Sequence, residues 1–444
     1  MEEKKKILHI TGYMGDAGIG KAISGMVLND LENEHIILCL EKTINRNEME
    51  KCINNKICVI ESPERKTVKS EIENADIVII HWWQYPLMCE FLADFPMVEC
   101  RTILWSHVSG CNYPFLSFDF ANKFDYIFFT SPFSYENTIW NDYQLRTIKQ
   151  KSEIVYGLSD IKIEKVKKEY SNNKIITIIY VGTFTKSKIN GCFSEICNAI
   201  IENNKNVRFV MLGDDERAGW LKKRISELEI NEYFEWKGFV NNVYDELYNA
   251  DIFLYPLNPF HFGTTENVIL EAMAMGLPVI ALKQNAEKYI IESEDNGILA
   301  DDIADIIRWT IRLSEDSDLR ERVGKSARKS FKERFSIYDN VKVFRNAINH
   351  CLEIKKSQKN FADVIGKSPH EWFISAMLPE NKELFLGGEE TNTTIKRIPY
   401  IFCEKTKSSI YHFMSYYDCD NELKKYEKIL DELIKNDDLL SERI

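Results

Sequence analysis

One loop of the sequence, with the helix that follows it, carries residue types that could bind a phosphate. Residues 251–257 form an apolar run that predicts a buried strand, and residues 265–275 have the pattern of a helix. Thr264 or Thr265 can cap this helix by accepting a bond from a backbone N–H group. A helix that begins at the carboxyl end of a strand presents free N–H groups and the positive end of its dipole. The segment therefore predicts a phosphate site.

Other polar residues of the same segment could bind a polyol beside that phosphate. Glu271 lies four residues after Asn267, so the two side chains share one face of the predicted helix. A nucleoside diphosphate offers both groups, a pyrophosphate and a ribose diol. His261, Gly263 and Glu266 lie in the loop before the helix, and we include them among the candidate binding residues.

The sequence LEAMAMGLPVIA, residues 270–281, resembles the donor-binding segment of family 4 glycosyltransferases, which have the GT-B fold. The resemblance implies that Glu271 holds the ribose of a sugar nucleotide. Gly263 stands where the family usually has a second glutamate, and Glu266 is the nearest carboxylate, so the identity of the sugar stays open. A buried amphipathic helix between two strands is the alternative interpretation, but it does not explain the polar loop before the helix.

The run GTFTKSK, residues 182–188, follows another predicted strand and resembles the phosphate-binding turn of that family. Lys188 matches the family's lysine, which implies that it binds the donor phosphates. Thr183 stands where the family commonly has arginine, and we keep it as a donor-binding candidate. Lys186 could supply the second positive charge, or it could be a solvated surface residue. The turn that ends at Val240 resembles the one that frames the nucleotide base.

Residues 12–22 form a glycine-rich turn whose sequence is close to that of a nucleoside-triphosphate-binding loop. Ala22 stands where such a loop needs a Ser or Thr to bind Mg²⁺, which argues against an NTPase. We expect Gly18 and Gly20 to present backbone N–H groups to the donor instead, as the resemblance to GT-B amino-terminal domains implies.

Two histidines end predicted strands of the amino-terminal part, where ligands bind in open α/β sheets. His81 fits a site residue and a hydrogen-bonded core histidine equally well. His107 matches a histidine that family 4 enzymes place beside the donor sugar, so the resemblance implies a catalytic or sugar-seating role. Residues 112–120 are rich in aromatics and could be core or a platform for an acceptor.

Unbroken runs of Ile, Val and Leu indicate strands that are covered on both faces, as in parallel doubly wound sheets. Seven such runs are predicted in the amino-terminal part, at 7–13, 36–40, 57–61, 76–83, 101–107, 126–131 and 153–158. Six more follow at 175–182, 207–213, 234–239, 251–257, 278–282 and 297–300. Helical patterns accompany the second set at 191–204, 216–229, 243–249, 265–275, 303–314 and 318–334.

The predicted fold class is α/β, and the resemblance implies a GT-B protein with two Rossmann-like doubly wound domains that face a central crevice. Residues 1–160 would be the acceptor-side domain and residues 161–335 the nucleotide-sugar domain, with a charged linker at 162–174. Residues 336–356 would form a helix that crosses back, and residues 357–444 an accessory carboxyl-terminal region.

Composition excludes several other classes of protein. A net charge of −12 over 444 residues argues against general nucleic-acid binding, and no apolar run is long enough to span a membrane. The eleven cysteines form no C-x-x-C pair, so we expect reduced thiols and a cytoplasmic protein, able to lie at the inner face of a membrane. Asp418 and Asp420 imitate a metal-binding Asp-x-Asp, but a solvated turn is the preferred interpretation.

The predicted function is transfer of a sugar from a nucleoside diphosphate sugar, with UDP as the expected nucleotide, to a glycan, lipid-linked or protein acceptor. The resemblance implies retention at the anomeric carbon, with Lys188, His107 and Glu271 as the catalytic residues. Neither a metal nor a cofactor is expected. A non-catalytic GT-B subunit that binds a glycosyltransferase partner or its protein substrate is the alternative, and a sugar-nucleotide epimerase on the same fold is a third possibility.

Overall fold

The computed structural model describes residues 4–16, 18–161, 175–240, 242–387, 400–405 and 408–436, so the predicted linker lies outside the described residues. The described residues form two compact units. The first unit takes its residues from Met1–Asp160, Phe262–Thr265 and Ile337–Glu442, and the second takes its residues from Ile161–His261 and Glu266–Ser336.

A seven-stranded parallel sheet forms the centre of the first unit, in the order β3-β2-β1-β4-β6-β7-β8. The strand β5 lies outside this sheet. The strands are β1 (Lys6–Thr11), β2 (Glu34–Cys39), β3 (Cys58–Glu61), β4 (Ile77–Trp82), β5 (Glu99–Cys100), β6 (Thr102–Ser106), β7 (Tyr126–Phe129) and β8 (Ser152–Ile154). All six residues of β4 are buried, as expected for a strand that is covered on both faces.

A six-stranded sheet forms the centre of the second unit, in the order β11-β10-β9-β12-β13-β14, and its strands are also parallel. The strands are β9 (Ile176–Val181), β10 (Val207–Leu212), β11 (Phe234–Gly238), β12 (Ile252–Tyr255), β13 (Val279–Leu282) and β14 (Ile298–Ala300). A last short strand, β15 (Ser357–Gln358), pairs antiparallel with β5 in the first unit.

Helices connect the parallel strands within each unit. In the first unit they are α1 (Gly18–Asn29), α2 (Asn47–Asn54), α3 (Arg65–Asn74), α4 (Pro86–Ala93), α5 (Phe118–Asn122) and α6 (Asp142–Gln150). In the second they are α7 (Phe193–Asn203), α8 (Gly219–Glu227), α9 (Val243–Asn249), α10 (Asn267–Met275), α11 (Glu287–Ile290), α12 (Ile303–Glu315) and α13 (Ser317–Arg334). The predicted doubly wound α/β class is confirmed in both units.

The helix α14 (Ile337–Leu352) packs on the sheet of the first unit. Its Val341 and Phe344 are buried in one apolar cluster with Ile79 and Trp105 of the sheet. The helix predicted from residue 336 onward therefore returns to the amino-terminal part of the chain.

The carboxyl-terminal region is part of the core of the first unit rather than an appendage. Its helices are α15 (Ala362–Ile365), α16 (Pro369–Ser375), α17 (Pro379–Leu386), α18 (Ile410–Met414) and α19 (Asn421–Asn436). Trp372, Phe413 and Leu430 from these helices share one buried cluster with Leu8 and Ile80 of the sheet. The structure thus corrects the description of residues 357–444 as accessory, as far as they are described.

Candidate functional site

Lys188 lies in the turn between β9 and α7, where the sequence predicts it. Its backbone N–H group donates to the carbonyl of Thr185 at 2.9 Å, and its own carbonyl accepts from the N–H group of Asn258 at 2.8 Å. The second bond ties this turn to the loop after β12. The two loops that carry the predicted phosphate-binding residues are therefore held together inside the second unit.

The ammonium group of Lys188 is paired with the carboxylate of Glu266. Its Nζ donates to Oε1 at 2.8 Å and to Oε2 at 2.7 Å, and the hydroxyl of Tyr255 donates to Oε2 at 2.9 Å. Only 13% of the lysine side chain and 4% of the glutamate side chain are exposed. Burial alone would raise the pKa of Glu266, but the charges of Lys188 and His261 and the hydrogen bonds from Lys188 and Tyr255 together hold that pKa below its usual value.

His261 extends this cluster to a second carboxylate. Its Nε2 lies 3.2 Å from Oε1 of Glu287, its Nδ1 lies 3.6 Å from Oε1 of Glu266, and its side chain is fully buried. The segments that follow β9, β12 and β13 thus bring one lysine, one histidine and two carboxylates into contact. Sequence analysis missed Glu287, which lies at the start of α11, because nothing in the local pattern distinguishes it from a surface glutamate.

The start of α10 differs from the prediction. The helix begins at Asn267, and Glu266 precedes it in the left-handed region, with φ of 47° and no side-chain capping bond. Thr264 and Thr265 do not cap the helix. The hydroxyl of Thr265 donates to the carbonyl of Thr130 at 2.9 Å and accepts from the N–H group of Gly157 at 3.1 Å, so both threonines lie in the first unit.

The remaining candidates of the second unit lie on separate loops and on α10 itself. Glu271 is buried on α10, one turn after the half-buried Asn267, as the predicted helical face requires. Thr183 is half-buried, and its carbonyl accepts from the hydroxyl of Tyr180 at 3.1 Å. Val240 is half-buried after β11. The described hydrogen bonds do not join either of these two residues to Lys188.

Lys186, for which the sequence leaves two interpretations open, is half-buried rather than solvated. Its Nζ lies 5.5 Å from the centre of the Trp220 ring, a cation–π distance. Gly263 is half-buried and belongs to the first unit with its neighbours in Phe262–Thr265.

His107 and the predicted glycines line one cavity of the first unit, which we call the His107 cavity. Its volume is about 180 Å³. The lining residues come from the turn before α1, the first residues of α1, the ends of β4 and β6 and three later positions. They are Tyr13, Gly15, Gly18, Ile19, Gly20, Trp83, His107, Val108, Pro114, Phe262 and Ser408. Gly20 permits a close approach here, because a Cβ atom there would lie 1.7 Å from the carbonyl oxygen of Gly15.

His81 is buried and hydrogen-bonded on both sides. Its Nδ1 lies 2.8 Å from Nε2 of His107, and its Nε2 lies 3.0 Å from Nδ1 of His9. Burial lowers the pKa of His81 well below its usual value and lowers that of His107 to about 3, so both rings are neutral near pH 7. His81 is thus a hydrogen-bonded core histidine that also touches the cavity histidine.

The described residues contain no group of three or more His, Cys, Asp or Glu side chains that could hold a metal ion. The ten cysteines whose side chains the structure describes are free thiols. Among the helices that the structure describes, none has both the length and the apolar character needed to cross a membrane.

The part of the chain that matches a known protein family lies mainly in the second unit. Residues 175–316 match the model of a protein family described as glycosyl transferases group 1. This segment contains Lys188, Glu266 and Glu271, which are three of the residues predicted from the sequence to bind the donor.

Curated relatives of the chain include two bacterial enzymes. N-acetyl-alpha-D-glucosaminyl L-malate synthase of Bacillus anthracis is 27% identical over 192 residues, which are 41% of this chain and 47% of the relative. Alpha-monoglucosyldiacylglycerol synthase of Acholeplasma laidlawii is 26% identical over 182 residues, which are 40% of this chain and 44% of the relative. The matches thus span less than half the length of these relatives.

Solved structures share the fold across most of the chain. The Anabaena protein HepE, solved in complex with UDP and glucose, superimposes with a TM-score of 0.62 and 14% identity, covering 78% of this chain and 100% of HepE. The neighbours are GT-B glycosyltransferases, so the predicted GT-B fold is confirmed.

Proposed function

We propose that this protein is a retaining glycosyltransferase that transfers a sugar from a nucleoside diphosphate sugar. One observation carries the proposal: Lys188 and the start of α10 lie on two loops that are bonded to each other, inside the segment that matches group 1 glycosyltransferases. A cation beside the amino end of a helix suits the pyrophosphate of such a donor.

In this proposal Glu271 and Lys188 bind different parts of the nucleotide. The carboxylate of Glu271 accepts hydrogen bonds from the ribose diol. The ammonium group of Lys188 has three donors and stabilises the negative charge that grows on the departing phosphate, aided by the N–H groups at the start of α10. Because Glu266 accepts from Lys188 with both oxygens, we assign it the role of holding the lysine in place rather than contacting the sugar.

We assign the His107 cavity to the acceptor. Tyr13 and Trp83 give the cavity aromatic walls, their rings 5.4 Å apart, and such faces suit the apolar side of a sugar. Gly18 and Gly20 contribute backbone N–H groups without side chains that would fill the space. In a retaining transfer the acceptor proton can pass to the leaving phosphate, so the proposal requires no protein nucleophile.

We propose a chemical class for the donor and for the acceptor. HepE was solved with UDP and glucose, and the two curated relatives are named for a malate glycoside and a glucosylated diacylglycerol. We therefore propose UDP as the nucleotide and a glycan, lipid-linked or protein acceptor. We also propose that the reaction is metal-independent, because Lys188 and backbone N–H groups can neutralise the leaving group.

A panel of nucleotide sugars tests the proposal without a known acceptor. The protein is incubated with UDP-, GDP- and ADP-sugars, and slow release of the nucleoside diphosphate is measured, with Lys188→Met/Glu266→Gln, which leaves no buried charge unpaired, as the matched control. Release from one donor class, lost in the variant and retained in EDTA, supports the proposal. Release that EDTA abolishes and Mg²⁺ restores refutes metal independence. Binding of a donor without any hydrolysis or transfer would favour a non-catalytic GT-B subunit.

A further inference from the structure

Four histidines form a continuous hydrogen-bonded chain through the first unit. The bonds run from His35 to His9 at 2.9 Å, from His9 to His81 at 3.0 Å and from His81 to His107 at 2.8 Å. Each bond joins Nδ1 of one ring to Nε2 of the next. At the far end, Nε2 of His35 lies 3.0 Å from Oδ2 of Asp30.

The chain follows a diagonal line across the sheet. His35, His9 and His81 lie on the neighbouring strands β2, β1 and β4, and His107 follows β6. His35 is paired with Ile7, two residues before His9, and each later step to the next strand advances by two residues in the same way. Since side chains alternate between faces with a period of two, all four rings lie on one face.

Apolar side chains separate the four histidines from water, except near His107. His9 and His81 are fully buried, and His35 is 3% exposed. Phe344 and Trp105 pack near the rings, with centroid distances of 6.2 Å to His35 and 5.2 Å to His81 respectively. His107, in contrast, lines the His107 cavity.

The carboxylate of Asp30 determines which nitrogen donates and which accepts in every hydrogen bond between these histidines. Its Oδ1 accepts from Nε of Arg345 at 2.6 Å, and its Oδ2 accepts from Asn33 at 2.7 Å. Burial would raise the pKa of Asp30, but the hydrogen bonds from His35, Asn33 and Arg345 hold it well below its usual range. A carboxylate only accepts, so a neutral His35 must carry its proton on Nε2 and leave Nδ1 as an acceptor.

The same requirement passes from ring to ring. A neutral imidazole has one donor and one acceptor nitrogen, so His9, His81 and His107 must each carry the proton on Nε2 in turn. We propose that Asp30, acting through three histidines, holds His107 in the tautomer whose Nδ1 is unprotonated and available to a hydroxyl of a bound substrate. The reference to substrate rests on the proposed function, whereas the tautomer itself does not.

We expect the substitution Asp30→Asn to reverse the donor and acceptor roles in every hydrogen bond between the four histidines. Arg345 and the backbone N–H group of Glu32, at 3.3 Å, both donate to the Oδ1 position, so the amide oxygen of asparagine belongs there. Its NH₂ group then takes the Oδ2 position, where it faces His35 and donates to Nε2. The side-chain amide of Asn33, which donates to Oδ2 in the unaltered protein, turns its oxygen toward this NH₂ group. Every imidazole must shift its proton to Nδ1, and His107 becomes a donor on the cavity side.

Nitrogen-15 spectra of protein labelled at histidine test this inference, with His107 assigned by its loss in His107→Gln. We expect a bare Nδ1 and a protonated Nε2 at His107 in the unaltered protein and the opposite pattern in Asp30→Asn. The control is Asp125→Asn, a half-buried carboxylate that is paired with Lys359 at 2.7 Å and lies outside the row of histidines. This variant should leave the His107 tautomer unchanged.

Two results would overturn the inference: a protonated Nδ1 at His107 in the unaltered protein, or an unchanged tautomer in folded Asp30→Asn. If Asp30→Asn does not fold, the spectrum of the unaltered protein still decides between the two directions. The readout requires no substrate, so a failure of the proposed function would leave this result intact.

Discussion

At the scale of single residues, the pairing of Lys188 with Glu266 changes how the lysine can be tested. Removing the ammonium group leaves the buried carboxylate of Glu266 without its partner, and breaking a buried pair in this way costs about 3–5 kcal/mol. A loss of turnover in a single lysine variant would therefore mix a catalytic effect with a loss of stability.

We predict that Lys188→Met lowers the unfolding midpoint in urea and that Lys188→Met/Glu266→Gln largely restores it, because the double variant buries no unpaired charge. Turnover should fall about 10²–10³-fold in both, as for the loss of one oxyanion donor. The exposed pair Arg65–Asp94 provides the control, where Arg65→Met should cost about 1 kcal/mol or less. Near-normal turnover in the double variant would remove Lys188 from the mechanism.

The neutral histidines predict how stability depends on pH. In the unfolded chain His9, His81 and His107 take up protons near pH 6.5, whereas in the folded protein burial lowers their pKa. Stability is therefore complete above pH 6.5 and is lost as the pH falls below it, by about 1.4 kcal/mol per pH unit for each histidine that stays neutral. Urea midpoints measured between pH 7.5 and 5 should fall steeply, and less steeply for His81→Gln. A midpoint independent of pH would contradict the buried neutral chain.

Sequence reasoning identified His81 and His107 but not the chain that joins them. Both end apolar strands, which is visible in the sequence. His9 and His35 lie inside strands, and only the pairing register, with its two-residue advance at each strand, aligns them with His81. Register is a property of the folded sheet, so Asp30 could not be recognised as the end of the chain.

At the scale of helices and strands, the sequence predicts positions well and one helix start wrongly. The predicted strand at 251–257 is observed as β12 at Ile252–Tyr255, because a strand covered on both faces is an unbroken apolar run. The start of α10 differs because the hydroxyl of Thr265 bonds to the backbone of Thr130 and Gly157, more than a hundred residues earlier in the chain. Local capping rules cannot include such distant partners.

The hydroxyl of Thr265 should matter to stability for this reason. Thr265→Val removes the hydroxyl that accepts from the buried N–H group of Gly157 and donates to the carbonyl of Thr130, at a cost of about 1–3 kcal/mol. Thr265→Ser keeps the hydroxyl and should cost less. Equal urea midpoints for the Val and Ser variants would show that the two bonds contribute nothing.

At the scale of the whole molecule, the carboxyl-terminal region stabilises the first unit. The sequence shows its aromatic residues but not what they contact. The side-chain amide of Gln84 donates to the backbone carbonyl of Trp372 at 2.9 Å, and Ser408 donates to the carbonyl of Trp83 at 3.0 Å and lines the His107 cavity. A truncation near residue 358 would therefore expose a core instead of removing an independent module.

Trp372→Ala tests this role more sharply than a truncation. The side chain is 5% exposed, and its loss should lower the unfolding free energy by about 3–5 kcal/mol. Leu386→Ala is the control from the same region, because that side chain is 61% exposed, and it should have little effect. Similar urea midpoints for both variants would mean that the region packs only loosely on the sheet.

The central claim is that the second unit binds a nucleoside diphosphate through the carboxylate of Glu271, and calorimetric titration with UDP tests it most directly. We predict that Glu271→Ala weakens UDP binding by about 1.5–3 kcal/mol, the value of hydrogen bonds to a charged group, or about 10- to 150-fold. Glu232→Ala, an exposed glutamate of the same unit, should bind as the unaltered protein does. A folded Glu271→Ala variant with unchanged affinity for UDP would contradict the account.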